Sequence, residues 1–452
     1  MEVLTVTEFF HSVTLNKERC VGCTNCIKRC PTEAIRIQGG KAVIAPERCI
    51  DCGECIRICP HHAKRAKFSS LSELSDFTYK IALPAPSLYG QFNNLDDIDY
   101  VLTGLKEMGF DDVFEVSRAA ELVSEATRKL LAAGKLKLPA ISSACPAVVR
   151  LIRVRFPDLC DHVLPLKSPM ETAAAMAKEE ARKKTGLPLE QIGCFFITPC
   201  PAKMTDIKMP LGLEKSMVDG AIAISEVFPM LSHKMDHLEK VEPIANSGII
   251  GVGWSTSGGE AAALLTDKYL AADGIENVIR VLEEVEDERI GDLEFIELNA
   301  CAGGCVGGVL CVENPYVAKA RIQRLRKYLP VSQNHLGDGP IPPVMEWEEG
   351  LEFSNVLTLS DDLAEAMRMM VDIDRIAKEF PGLDCGACGA PTCRAFAEDV
   401  VRGNSQKTGC IFVYRRQMQQ MADTLSQMGS GLGRFPMDDR EQGRGPAPKN
   451  GE

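Results

Sequence analysis

The feature that most constrains this chain is a doubled cysteine run. "CVGCTNCIKRCP" places Cys20, Cys23, Cys26 and Cys30, and "CIDCGECIRICP" repeats the spacing at Cys49, Cys52, Cys55 and Cys59. Each copy reads C-x2-C-x2-C-x3-C-P. Three thiolates so close together can wrap one cube of iron and sulfide. The fourth, fixed before Pro31 or Pro60, points away toward a second cube. One 4Fe-4S cluster is therefore expected on Cys20, Cys23, Cys26 and Cys59, and another on Cys49, Cys52, Cys55 and Cys30. Zinc also suits a C-x2-C pair, but the doubled eight-cysteine pattern leaves it little room. Between the halves, "IRIQGGKAVIA" reads as a hairpin turning at Gly39-Gly40.

Residues 11–66 resemble a two-cluster ferredoxin domain. A second cysteine group lies near the other end, in "DCGACGAPTCRAFAEDVVRGNSQKTGC", with Cys385, Cys388, Cys393 and Cys410. It offers four thiolates and nothing else nearby to coordinate. Gly386, Gly389 and Gly403 are expected to let backbone approach a bulky cluster, and "TCRAFAEDVVR" has helical spacing. This group resembles the small single-cluster 4Fe-4S domain of anaerobic electron-transfer proteins, with zinc as the alternative.

The chain has 452 residues, enough for two to four domains, and nineteen cysteines, an odd number. The start, "MEVLTVTEFF", has neither a basic stretch nor an apolar one of secretory type. These features argue against a disulfide framework and for metal or redox chemistry in a reducing cytoplasm. Net charge is −12 with no basic block, which argues against nucleic-acid binding. No apolar run of about 18 residues occurs, so no membrane span is expected.

The central cysteines are sparse: Cys145 in "SSACP", Cys200 in "TPCPAK", and Cys301 and Cys305 in "ELNACAGGCVGG". Each alone reads as a small buried hydrophobe. Together the three segments resemble the signature motifs TSCCP, MPCxxK and ExMACxxGCxxGG of FeFe hydrogenases, with weaker matches at "PAPS" (84–87), "KSP" (167–169) and "STSGG" (255–259). The likeness covers roughly residues 11–415. It implies that Cys145, Cys200, Cys301 and Cys305 hold a third 4Fe-4S cube, with Cys305 bridging to a diiron subcluster that carries CO and cyanide ligands. It also implies that Lys203 and Ser87 donate to the two cyanides. The alternative for Lys203 is a surface lysine.

The departures are as informative. Ala144 stands where catalytic relatives have a proton-accepting cysteine, and alanine cannot carry a proton. Thr198 and Asn299 replace two methionines. The tryptophan after the first motif is missing. "GGVLCVENP" replaces GGGQP and brings in Cys311, "SPME" replaces an SPQQ-like stretch, and Asp206 stands near an expected glutamate. The pattern resembles the divergent sensory FeFe hydrogenases. It implies slow or signalling-type hydrogen or redox chemistry at an H-cluster-like site fed by 4Fe-4S clusters, four in all, in an anaerobic setting. The competing reading is an electron-transfer subunit without a diiron site in a larger redox complex.

The expected fold class is α/β: a hydrogenase-like central domain with parallel sheets and helices, flanked by a small α+β ferredoxin domain and a small helical 4Fe-4S domain. "KIALPA", "DDVFEV", "LPAISSA", "IGCFFITP" and "GAIAIS" read as strands; "LDDIDYVLTGLKEMGF" and "PMETAAAMAKEEARKKTG" read as helices. Expected boundaries are 1–66, 77–328 and 360–413, then an amphipathic helix at 414–428 and a polar tail at 429–452. "HHAKRAKFSS" reads as a solvated connector that includes His61-His62, 328–352 as a linker, and Ser360 as the N-cap of the next helix. Cys160 and Cys194 read as core. From Ile411 to Met428, apolar residues recur at spacings of three and four. This stripe either lies on its own cluster domain or serves for homodimerisation or partner docking, the partner being a redox or signalling protein.

Overall fold

The computed structural model describes residues 9–431. The first eight residues of the lead, and the expected tail from 432 on, lie outside the described residues. The chain divides into two compact units between Asp361 and Asp362.

The first unit begins with four short strands: β1 (Val13–Leu15), β2 (Ile35–Gln38), β3 (Lys41–Ile44) and β4 (Lys64–Ala66). β2 and β3 form the expected antiparallel hairpin. Gly39 and Gly40 both take positive φ, as a two-residue turn between twisted strands requires. β4 pairs with β1, so residues read as a connector close the ferredoxin ring instead. Backbone pairing overrides the basic composition there, while His61 and His62 stay exposed.

Seven parallel-paired strands follow: β5 (Tyr79–Pro84), β6 (Asp112–Val113), β7 (Ala140–Ile141), β8 (Ile192–Thr198), β9 (Gly220–Ala223), β10 (Tyr269–Asp273) and β11 (Phe295–Asn299). They form two parallel sheets, ordered β6-β5-β8-β9 and β10-β11-β7. All seven residues of β8 are buried, as expected of a strand covered by helices on both faces. The helix Pro169–Thr185 helps to cover this sheet: Met170, Ala173, Ala174 and Ala177 pack against Ile81, Leu83 and Phe196. The parallel α/β architecture is the expected one. β10 and β11 were not among the expected strands, and "DDVFEV" yields only two strand residues before a helix starts at Val116.

Residues 328–352 are irregular but not a free linker. Lys167 N–H donates to Met345 O at 2.8 Å, Trp347 N–H donates to Pro165 O at 3.0 Å, and Met345 is buried. Met345 packs with Leu122, Val123 and Ala126 of the helix Val116–Ala132 and with Leu166, and Leu336 and Ile341 lie against the same cluster.

The second unit holds the helices Leu363–Ala377, Cys393–Val401 and Ile411–Gly431. The first is capped by Asp362, whose carboxylate accepts from Glu365 N at 2.7 Å, so Ser360 is not its cap. An Asp two residues closer reaches the third helical N–H with ion-assisted strength. Gly403 (φ +76) follows the helix Cys393–Val401 with open space around its α-carbon. Its positive φ ends the helix and makes no close approach to a cluster. The last helix starts at Ile411 and takes in Gly429–Gly431 of the expected tail.

Candidate iron–sulfur and hydrogenase-like site

Four of the parallel strands end at one place. β5 leads into Ser87, β7 into Cys145, β8 into Cys200, and β11 into Cys301 and Cys305. Ligand sites in open α/β sheets gather at such carboxyl ends. Residues after all four strands line one cavity of about 90 Å³, among them Ser87, Ala144, Cys145, Cys200, Lys203, Asn299 and Cys305.

The proline after each isolated cysteine has a local reason. Cys145 precedes the helix Pro146–Arg155, and Cys200 precedes Pro201–Lys208, each with Pro in its first turn. Proline suits that position because its missing N–H would go unbonded there anyway. Each thiol thus sits at the positive end of a helix, which favours an anionic ligand set. The glycines between and after Cys301 and Cys305 are also required. Gly304 has φ +90, and a Cβ there would lie 2.5 Å from Ser257 N. A Cβ on Gly308 would lie 2.2 Å from Pro199 O, so the third motif rests directly on the second.

The four thiols are mutual neighbours. Burial pushes Cys305 well up, followed by the charges of Cys200, Cys145 and Cys301. Burial pushes Cys200 to about 11, with Cys145 as the next cause. Cys305 is exposed by surface area, but it faces the cavity, and it behaves as a buried group. Four soft thiols without imidazole or carboxylate among them fit an iron–sulfur cube. The cavity wall also fits an anionic ligand beside the cube: Ser87 Oγ and Ser255 Oγ are buried there without a hydrogen-bond partner. Such orphaned hydroxyls are costly unless something accepts from them. Lys203 is buried, not a surface lysine, and pairs with Asp206 at 3.4 Å.

The departing residues have local occupations. Thr198 Oγ1 donates to Cys200 O (2.9 Å) and accepts from Cys200 N (3.2 Å). Asn299 Nδ2 donates to Glu297 Oε1 at 2.7 Å. Glu171 of "SPME" is buried and accepts from Ser216 Oγ and Met217 N. Cys311 Sγ lies 3.6 Å from Cys305 O. Cys160 and Cys194 are buried in the core.

A buried carboxyl pair went unread in the sequence. Glu260 lines the cavity, and Ser142 Oγ donates to its two oxygens at 2.8 and 2.7 Å. Burial and then the charge of Glu297 push Glu260 well above the usual carboxyl range. Glu297 accepts from Gly258 N, Ala261 N and Asn299. Burial raises Glu297 as well, against the pull of these donors. "ELNAC" drew attention to its cysteine, and nothing in "STSGGEAAA" marks Glu260 as facing it.

The ferredoxin cysteines also converge. Burial and then neighbouring charge raise Cys49, Cys52 and Cys55, and each feels Cys30. Burial raises Cys26, which feels Cys23 and Cys20. Cys59 lies in the same apolar cluster as Cys20, Cys26 and Cys55. This region is tied to the central domain. Asp51 accepts from Ser12 N and Val13 N, both at 3.0 Å, and from Thr205 Oγ1 at 2.7 Å. Arg57 Nη2 donates to Gly307 O at 2.8 Å. Cys52 packs in the same apolar cluster as Cys145 and Cys200. In the second unit Cys385, Cys388, Cys393 and Cys410 line one small pocket.

Parallel sheets whose ends gather four neighbouring thiols, three of them on one cavity, joined to a ferredoxin ring, define an iron–sulfur redox protein of hydrogenase type. The chain belongs to the family described as iron only hydrogenase large subunit, C-terminal domain, which matches residues 78–270 and 256–309, about half of its length. A 4Fe-4S dicluster domain matches 12–60 and an Fe-S cluster domain matches 380–412. The chain carries 4Fe-4S clusters. It is 26% identical over 360 residues to the periplasmic Fe hydrogenase large subunit of Nitratidesulfovibrio vulgaris, covering 66% of this chain and 86% of that one. It is 26% identical over 258 residues to the NADP-reducing hydrogenase subunit HndD of Solidesulfovibrio fructosivorans, covering 45% and 44%. It thus spans less than half of the latter relative. A solved FeFe-hydrogenase, studied for oxygen inactivation of its H cluster, superposes with TM-score 0.50 at 16% identity over 63% of this chain and 98% of that one. Among the described residues, no helix is long and apolar enough to cross a membrane.

Proposed function

We propose that this protein is a sensory-type, low-turnover FeFe-hydrogenase-like protein. Cys145, Cys200, Cys301 and Cys305 hold the central cube, and a diiron subcluster sits in the adjoining cavity. Cys20, Cys23, Cys26 and Cys59 hold one ferredoxin cube; Cys49, Cys52, Cys55 and Cys30 hold the other. Cys385, Cys388, Cys393 and Cys410 hold the terminal cube. The working domains are then 1–66, 77–328 and 360–413. When bound, the diiron unit supplies the chemistry of making or splitting hydrogen.

The observation that carries this reading is the cavity wall. It keeps orphaned donors, Ser87 Oγ and Ser255 Oγ, for an anionic occupant, yet has Ala144 where a proton acceptor would stand. Ser87 would orient a cyanide, and Lys203 would do so on leaving Asp206. The carboxyl on the cavity wall is Glu260, held by Ser142 Oγ, and Ala144 beside the cube ligand Cys145 offers no titrating atom of its own. Slow proton exchange suits a sensor, in which occupancy or redox state matters more than flux.

The competing reading, an electron-transfer subunit without a diiron site, draws on the Lys203–Asp206 pair, which already satisfies the lysine. An infrared spectrum after anaerobic diiron maturation tests the choice. Bands of iron-bound CO and cyanide support the sensor reading; their absence in protein with complete cubes overturns it. Sixteen cluster thiols need a reducing environment, which favours the cytoplasm, although one relative is periplasmic by name. A redox or signalling protein is the expected partner. Ile411, Tyr414, Met418, Met421, Leu425 and Met428 are all about half exposed or more, so the stripe is bare, not laid on its own domain. Of the flanking positions of the heptad, Gln417, Ala422 and Thr424 are uncharged and Arg415 carries a charge. A two-stranded pairing of this helix is part of the proposal.

A further inference from the structure

The two ferredoxin halves differ at one buried position. After the fourth cysteine the first half reads "CPTEAIRI" and the second "CPHHAKRA". The alignment sets Ile35 opposite Lys64. Both are buried, at 2% and 3% exposure. The backbone is alike in the two halves: Ala34 N–H donates to Cys30 Sγ at 3.2 Å, and Ala63 N–H donates to Cys59 Sγ at 3.3 Å. The first half thus covers its cluster cysteines with an isoleucine, and the second does so with a lysine.

Lys64 Nζ is buried with no hydrogen-bond partner. An ammonium left alone in a protein interior is strongly unfavourable unless an opposite charge compensates it. Nothing in the repeat demands a lysine, since isoleucine fills the equivalent place. Three cluster cysteines feel the charge of Lys64, as does His11, and its counterpart Ile35 packs in one cluster with Cys20, Cys26 and Cys55. Burial pushes Cys26 and Cys55 up, and in both the Lys64 ammonium is the largest charge acting the other way. For Cys59, burial acts upward, and the N–H groups of Lys64, Ala63 and His61 and then the Lys64 charge outweigh it. Cys26 and Cys59 belong to one cube of the proposed assignment, and Cys55 to the other.

We propose that Lys64 is a potential-setting residue whose ammonium compensates the negative charge of the cube on Cys20, Cys23, Cys26 and Cys59 and makes that cube the easier of the two to reduce. The inference rests on the cysteine assignment proposed above. Its sign follows from charge alone. Reduction adds one electron to the cube, the nearby cation stabilises the more negative state, and the potential rises. No proton or further reactant is needed. The other cube's half faces the third motif, where a Cβ on Gly53 would lie 2.7 Å from Val309 and Arg57 Nη2 donates to Gly307 O, so the raised potential lies on the cube farther from the central cavity. Electrons leaving the central site are drawn outward to it.

The test is an anaerobic redox titration of the full, reconstituted chain, followed by electron paramagnetic resonance, for wild type, Lys64→Ile, Lys64→Gln and Lys64→Arg. Lys64→Ile copies the residue of the first half and keeps the apolar packing. At the wild-type midpoint, Lys64→Ile and Lys64→Gln should lower the reduced-to-oxidised ratio of one ferredoxin cube about tenfold, equivalent to 59 mV for a one-electron couple. Lys64→Arg should stay near wild type, and the terminal cube should not move in any variant. Complete clusters with unmoved ferredoxin potentials in both neutral variants overturn the role of Lys64. An equal fall in Lys64→Arg overturns it too, because the charge is kept. Wild-type protein that assembles no ferredoxin cubes would instead overturn the cysteine assignment, which iron content distinguishes.

Discussion

The ferredoxin ring and the central site both gather cysteines, but by opposite means. In the ring, three thiols of each proposed set lie within seven residues of chain, and the fourth is assigned to a symmetric copy of the same motif. In the centre, the thiols come from the ends of β7, β8 and β11, spread over 160 residues of sequence. A site built from local spacing resists change elsewhere in the fold. A site built from strand ends depends on every contact that holds two sheets in register. Both sites are of one chemical kind, so the difference shows how far ligand identity alone goes.

The largest expected contrast is in turnover. A matured central site should evolve hydrogen roughly 100 to 10,000-fold more slowly than a relative with cysteine at the position of Ala144, the usual worth of one placed proton acceptor. Ala144→Cys should recover only part of this, because Asn299 is tied to Glu297 and Thr198 to Cys200. Hydrogen evolution from a reduced artificial donor measures it, and wild-type rates equal to the catalytic relatives would refute the cut relay.

The next contrast is in iron. Cys200→Ala should remove one cube, about four of about sixteen irons, and leave the ferredoxin resonance signals intact. Loss of the ferredoxin signals as well would break the comparison, for it would make the ring depend on the central site.

A smaller effect belongs to the joint between the two regions. Asp51→Ala removes three hydrogen bonds at once and should cost about 3 kcal/mol. Asp51→Asn keeps the two backbone bonds through its carbonyl oxygen and should cost about 1 kcal/mol. Denaturant unfolding of the assembled protein distinguishes them. Equal costs would mean that the charge of Asp51, not its acceptor geometry, joins ring to centre.

The smallest effect lies in the second unit. Asp362→Ala should cost about 1 kcal/mol through loss of the cap, and Asp362→Asn should restore most of it. Local hydrogen exchange in the helix Leu363–Ala377 would show it, while the iron content stays constant.

The doubled C-x2-C-x2-C-x3-C-P run and the hairpin at Gly39-Gly40 were legible because the chemistry sits within a few residues of backbone. The strands β5, β8 and β9 were legible as apolar runs. The central cysteines were legible only through resemblance, since a lone Cys before Pro has no local partner to announce it. β11 hid inside its own motif, and β10, half-buried, lacks a clear apolar rhythm. The helix cap moved from Ser360 to Asp362 because a two-residue shift changes which side chain reaches the third N–H, a choice the sequence leaves open. Tertiary structure alone decided that Glu260 meets Ser142 and Glu297 at the cavity and that Lys64 is buried without a partner. Each is a polar residue in a polar-looking stretch. Its burial is set by neighbours far along the chain, and composition around it carries no trace of where they are.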